Sequence, residues 1–193
     1  MQPKFPEDSN ISLKITIRGI EPFIWRRLEV PATIILPKLH MVFQEAFGWT
    51  NSHLHSFYIG DKEYGHKDEF DELDIVDERN IKLCKLLKVH TPGFWYLYDF
   101  GDHWLHYVHI EHILPLHEDR QSPICVAGAR KCPPEDCGGT SGYERVLDVI
   151  QNPDDDEYES MLEWLDGKYN PEEFDVSSIN SRLKKLSKLK VAR

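Results

Sequence analysis

The stretch Phe94-Trp-Tyr-Leu-Tyr-Asp-Phe-Gly-Asp-His-Trp-Leu-His-Tyr-Val-His-Ile-Glu-His-Ile-Leu114 decides how this chain folds. Two apolar-aromatic runs, Phe94–Phe100 and His103–Leu114, flank Gly101-Asp102. A two-residue loop that begins with glycine fits a type II′ hairpin. That register sets Asp99 opposite Trp104 and Leu97 opposite His106. One face then carries Trp95, Leu97, Asp99, Trp104, His106, Val108 and Ile110. Asp99 and His106 become diagonal neighbours on an apolar face. Burial without partners would cost several kcal/mol, so they are expected to pair with each other, with a third group or with a metal.

Upstream, Ile11, Leu13, Ile15 and Ile17 alternate with Ser12, Lys14, Thr16 and Arg18, which predicts a strand with one wet face. Gly19 and Pro22 mark a turn, and Phe23–Val30 reads as a second strand with Arg26 the odd member of its apolar face. A helix follows. Leu36, Leu39, Phe43, Ala46 and Phe47 form its stripe, Pro37 fits the first turn and Gly48 stops it. His40 shares that stripe, where a histidine is more often a hydrogen-bonded core residue than a ligand. His53–Gly60 reads as a third strand, with a short return along residues 63–66 and an acidic excursion to Glu78. Residues 81–89 fit helix and strand equally.

Residues 115–140 show no periodicity, and about 25 irregular residues inside a compact domain call for a function or an anchor. Ser141-Gly-Tyr-Glu144 is a capping box opening a helix, Asp154–Leu165 reads as a second, and Ser177 or Ser178 opens a third. The expectation is an α+β fold: an antiparallel or mixed sheet, one helix between strands 2 and 3, and C-terminal helices packed on the sheet. A single domain over residues 1–193 is expected, with a sheet core at 8–114, a long irregular loop at 115–140 and a helical part at 141–193.

The chain has 193 residues, 40% of them hydrophobic, and a formal net charge of −10. It has no apolar run long enough for a membrane span and no signal-peptide pattern, so a cytoplasmic protein is expected. The charge is uneven. Between Pro133 and Asp175 fourteen acids face only Arg145 and Lys168, whereas Ser181–Arg193 holds six basic residues and no acid. Acidity weighs against a general attraction to nucleic acid, the basic tail being the exception. Ile179, Leu183, Leu186 and Leu189 recur at helical spacing in that tail, which makes it an amphipathic helix with its lysines in water.

Several segments occur in an order that resembles a known family. They are Leu13-Lys-Ile-Thr-Ile17, Ile24-Trp-Arg-Arg27, Leu39-His40 with Gln44, Ala46-Phe-Gly-Trp49 and His53-Leu-His55 with Phe57. Tyr98-Asp-Phe-Gly-Asp102 with Trp104 and His106 comes next, then Cys125, Gly128-Ala-Arg130, Cys132-Pro-Pro-Glu-Asp136 and Gly138-Gly-x-x-Gly-Tyr143. Together they resemble the plasmid pRiA-four-b ORF-three-like family, some members of which carry a TnpR-like, insertion-element label. The resemblance runs from about Ile11 to the terminal helix and implies one α+β domain. It implies no activity, and the resolvase-like label carries no catalytic residue across. Cys137 stands where the family often has an apolar residue.

Two candidate sites follow from the residues. Cys125-x6-Cys132-x4-Cys137 lacks the short paired spacings of zinc fingers, yet it lies in the loop that needs an anchor. A fourth ligand would be His112, His117 or Cys84; a disulfide and plain buried thiols are the alternatives. The second candidate is a polar cluster of His55, Asp99 and His106, joined by Asp102, Cys132 and Glu135. Two histidines and a carboxylate suit a divalent metal such as zinc, an Asp–His pair suits general base work, and Cys132 beside His106 would be an activated thiolate. A hydrogen-bond network without turnover is the plainer reading. Asp99-Phe-Gly101 is no kinase motif in a chain without a glycine-rich loop. A recombinase nucleophile would want a basic surface, which this loop lacks. The favoured function is a module binding a protein or small-molecule partner without turnover. The alternatives are a metal- or thiol-dependent hydrolase and a mobile-element accessory protein that contacts DNA through its tail.

Overall fold

In the computed structural model, residues 5–67, 74–116, 123–167 and 169–188 are described. In chain order the elements are β1 (Ser9–Ile17), β2 (Trp25–Pro31), α1 (Leu36–Phe47), β3 (His55–Ile59), β4 (Lys62–Gly65), β5 (Val76–Asp77), α2 (Leu83–Leu86), β6 (Gly93–Tyr98), β7 (Trp104–Pro115), β8 (Ile124–Ala129), α3 (Gly139–Gln151), α4 (Tyr158–Trp164) and α5 (Val176–Lys188). The strands form one mixed sheet in the order β5-β4-β3-β6-β7-β1-β2-β8. Only β4 and β5 run parallel. The fold is α+β, with α1 between β2 and β3.

Ile11, Leu13, Ile15 and Ile17 of β1 are fully buried, as the alternation of that strand predicts. Across β7 they meet the buried Val108 and His106, and across β2 the buried Leu28 and Val30. Helix α1 lays Leu36, Leu39, Val42, Phe43 and Phe47 into this core and ends at Gly48, whose φ of 88° is the left-handed region glycine adopts without strain. Helix α5 packs on α1 and on β8, and α3 packs on α4. Ile179, Leu183 and Leu186 of α5 are buried, as its helical spacing predicts; Leu189 lies outside the described residues.

The hairpin differs from the expected one. Tyr98 pairs with Trp104 and Tyr96 with His106, so the loop has five residues, 99–103, rather than two. Asp99 and His103 both take positive φ, 59° and 57°. The Asp99 carboxylate accepts the N–H groups of Gly101 (2.9 Å) and Asp102 (3.3 Å), so the side chain closes a wider turn than Gly-Asp alone would make. A one-residue change of register turns the strand over. Phe94, Tyr96 and Tyr98 therefore face the core, and Trp95 is exposed.

The stretch 115–140 contains a strand. Ile124–Ala129 pairs antiparallel with β2. A Cβ on Gly128 would sit 2.4 Å from the Phe174 ring, so glycine here makes room for an aromatic side chain against the sheet. The outer edge of β8 is sealed where Asn180 of α5 accepts from the Cys125 N–H and donates to its carbonyl, each at 2.8 Å. Helix α3 begins at Gly139, ahead of the expected capping box, with Gly138 as its left-handed N-cap and no side-chain cap. Helix α4 begins at Tyr158 rather than at Asp154. Asp175 caps α5 by accepting from the N–H groups of Ser177 (2.8 Å) and Ser178 (3.1 Å).

Candidate functional site: a polar knot beside an aromatic cleft

Three irregular segments, 49–54, 98–103 and 132–138, meet at one end of the sheet. The Asp99 N–H donates to Leu54 O (2.9 Å), which ties the hairpin loop to the segment entering β3. The Tyr98 hydroxyl accepts from Ser52 N–H (3.1 Å) and donates to the Glu135 carboxylate. Glu135 also accepts from the Thr50 N–H (3.0 Å) and hydroxyl, and Trp49 Nε1–H donates to Pro133 O (3.1 Å). Burial and the neighbouring Glu135 hold the Tyr98 phenol well above its usual range, so it stays a donor. Asp102 accepts from Gly138 N–H (3.1 Å), which draws the 132–138 segment onto the hairpin loop.

His53 lies within this knot. Its Nε2 is 3.6 Å from Asp99 Oδ2 and 3.1 Å from Asp136 Oδ1. Neither approach has hydrogen-bond geometry, so the ring nitrogen faces two carboxylates at ion-pair distance without a hydrogen bond among the described residues. Among the described residues, His53, Asp99 and Asp136 are the one group of three or more His, Cys, Asp or Glu residues whose ligand atoms lie within 4.8 Å of one another.

The sequence-predicted residues do not come together as one cluster. His55 stacks face to face on His40, with centroids 3.5 Å apart, and its Nε2 is 3.1 Å from Glu78 Oε1. His40 is the core residue its place on α1 predicts. Nε2 faces Asn51 Oδ1 at 2.6 Å and Nδ1 meets the Tyr96 hydroxyl at 2.7 Å. Burial, with the stacked His55 adding to it, pushes His40 down to about 3. His106 is fully buried among Phe47, Trp49 and Tyr96; among the described residues its nitrogens make no hydrogen bond of good geometry, and the main chain of Trp104 and Tyr96 is what they approach. Burial lowers it to about 4. The corrected hairpin register separates it from Asp99.

Cys132 is buried beside Arg26, and burial pushes its thiol well above the usual value. Cys125 is raised for the same reason, and Cys137 is pushed up to about 12. All four cysteines are free thiols, and Cys125, Cys132 and Cys137 form no ligand set among the described residues. Burial favours the neutral Cys132 thiol, which weighs against an activated thiolate there. Of the proposed fourth ligands, Cys84 is buried in α2, His112 is exposed on β7 and His117 lies outside the described residues.

Beside the knot lies a cleft of about 430 Å³, bounded by the end of α1, residues 131–135 and the segment from Trp164 to Arg182. Trp49, Trp164, Tyr169 and Phe174 line it. Its floor is Arg26, the odd residue of β2. The guanidinium donates to Ala46 O (2.9 Å), Trp25 O (2.8 Å), Ala129 O (2.9 Å) and Arg130 O (2.8 Å). It lies about 5 Å from both the Phe47 and Phe174 rings. Ala46 O belongs to the last turn of α1, where unpaired carbonyls and the helix dipole favour a cation. Arg182 donates to Glu45 O of the same turn, which occupies one cation of the tail within the fold.

A family model for the plasmid pRiA4b ORF-3-like protein matches residues 9–178. The chain belongs to that family. The ORF-3-like chain is 38% identical over 157 residues to a Sinorhizobium fredii (strain NBRC 101917 / NGR234) protein described as uncharacterized protein y4hQ, covering 81% of this chain and 80% of the relative. It is also similar to the crystal structure of a protein of unknown function, MM3350, from Methanosarcina mazei Go1. That likeness has a TM-score of 0.81 and 36% identity, over 89% of this chain and 97% of the other. No helix among the described residues is long and apolar enough to cross a membrane.

Proposed function

We propose that this ORF-3-like protein works as one domain that binds a small organic molecule in the aromatic cleft and releases it chemically unchanged. The observation that carries the reading is the cleft itself: about 430 Å³ walled by Trp49, Trp164, Tyr169 and Phe174 over a buried arginine. That size is in the range of small-molecule sites, and the wall sets these aromatic rings among charged side chains, Lys131, Glu135, Asp166, Glu173 and Arg182, that would orient a polar ligand. The residues that would make a thiol hydrolase do not support turnover, since Cys132 is held as a thiol and His106 is fully buried in an aromatic cage.

The test is a thermal-shift screen with free amino acids, nucleosides and nucleotides against wild type and Ser178→Trp. Ser178 is exposed on α5 at the edge of the cleft, so a tryptophan there fills the space without entering the core. A ligand at a hundred times its Kd stabilises by about 2.7 kcal/mol, roughly 5–10 °C for a chain of this size. The expected result is such a shift in wild type, its loss in the variant, and full recovery of the compound. Equal shifts in both proteins, no shift with any compound, or consumption of the compound would each refute the reading.

A further inference from the structure

We infer that His53, Asp99 and Asp136 form a binding site for one divalent transition-metal ion of the zinc or cobalt type. The inference goes beyond the cleft reading and does not depend on it. The geometry is that of a preformed ligand set. Atoms bonded at about 2.1 Å to one cation stand roughly 3.0 Å apart in cis-octahedral and 3.4 Å apart in tetrahedral arrangement. The His53 nitrogen lies 3.1 Å from the Asp136 oxygen, between those two spacings, and 3.6 Å from the Asp99 oxygen, about 0.2 Å beyond the larger.

Each ligand is held in a way that a cation explains. His53 Nε2 is shielded from solvent and makes no hydrogen bond, while two carboxylate oxygens stand within 3.6 Å of it, the arrangement of ligand atoms around a shared cation. Asp99 is only 6% exposed, and its Oδ1 is saturated by two backbone N–H groups. Its Oδ2 is therefore left aimed at His53, and the backbone donors fix the carboxylate as outer-shell partners do around metal ligands. Asp136 is exposed and takes a φ of 59°, which turns its carboxylate back over the knot while leaving the site open to solvent. Two carboxylates and a neutral imidazole leave a charge of −2 for a dication to neutralise, and the N/O/O donor set suits zinc, cobalt or manganese. Three protein ligands leave positions for water or a further oxygen ligand.

The competing arrangement is a protonated His53 clamped between the two carboxylates with no metal at all. Cobalt(II) separates the two and also separates this site from the four thiols. The experiment titrates chelator-treated full-length protein with cobalt(II), followed by calorimetry and by visible absorption, for wild type, His53→Gln and Asp136→Asn. One cobalt per chain is expected, with d–d bands and no sulfur-to-cobalt charge-transfer band. Both variants are expected to bind at least tenfold more weakly. Asp136 is exposed, so its variant keeps the fold, and an unchanged urea midpoint checks this. No stoichiometric binding, a sulfur charge-transfer band, or equal affinity in all three proteins overturns the site.

Discussion

Lowering the pH from 7 to 4.5 is expected to destabilise the protein through His40 and His106. An imidazole in the unfolded chain titrates near 6.5. In the folded protein burial holds His40 at about 3 and His106 at about 4. Both folded values lie below the unfolded one, so between pH 6.5 and about 4 the unfolded chain binds protons that the native state refuses. Stability is whole above pH 6.5 and drains as the pH falls. Each such proton contributes about 1.4 kcal/mol per pH unit, and two of them integrate to about 5 kcal/mol between pH 7 and 4.5. That is comparable with the whole stability of an ordinary domain. The assay is urea unfolding at constant ionic strength in half-unit pH steps. His106→Leu should halve the pH dependence, because it removes one of the two buried imidazoles that refuse a proton in the folded state. A flat profile between pH 7 and 5 would refute the reasoning, as would an identical slope in wild type and variant.

Two further substitutions probe the packing around the site. Arg26→Met fills a similar volume but removes the buried guanidinium and its four hydrogen bonds to main-chain carbonyls, so a loss of about 3–5 kcal/mol in urea unfolding is expected, and a loss under 1 kcal/mol would show that other partners replace the guanidinium. Gly142→Ala should gain helix propensity of about 1 kcal/mol yet destabilise overall, because the new Cβ would stand 1.8 Å from Cys137 O; a raised thermal midpoint would contradict that contact.

Much of the first strand was legible because apolar residues alternate along it. The alternation of Ile11 to Arg18 leaves one choice of core face, and Ile11, Leu13, Ile15 and Ile17 are buried; the opposite face is drier than expected, with Ser12 buried and Lys14 and Thr16 half-buried. Helix α1 was bounded by residues with one stereochemical use each, Pro37 near its start and Gly48 at its end. The hairpin was the opposite case. Phe94, Tyr96 and Tyr98 on one side and Trp95 and Leu97 on the other are both apolar sets, so alternation could not choose between registers. What chose was the Asp99 side chain closing a five-residue loop, an interaction that loop length alone does not reveal. Strand β8 was hidden by its composition. Alanine and glycine are poor strand formers, and they are present because Phe174 and Asn180 pack against that edge from elsewhere in the chain.

The polar knot was half legible for a related reason. Asp99 stood out as a carboxylate on an aromatic strand, but its partners were sought across the sheet, where a regular ladder would supply them. They come instead from irregular backbone. Asn51, Asp99, His103 and Asp136 all take left-handed φ values near 60°. Such residues point their side chains where neither helical nor strand periodicity would send them. His53 was visible on its strand face and Asp136 within the acidic block, yet spacing gives no reason to join them. The clue available from sequence was the density of Asn, Asp and His beside glycines in three short segments, since those types tolerate the left-handed region best. Left-handed residues other than glycine cluster at functional sites because the surrounding structure must over-determine them. Here the constraint is explicit for Asp99: its N–H donates to Leu54 O and its carboxylate accepts from Gly101 and Asp102 N–H, while the Tyr98–Glu135–Thr50 chain joins the adjoining segments. The His53 ring nitrogen faces two carboxylates without hydrogen-bond geometry, and that is the observation on which the proposed cation site rests.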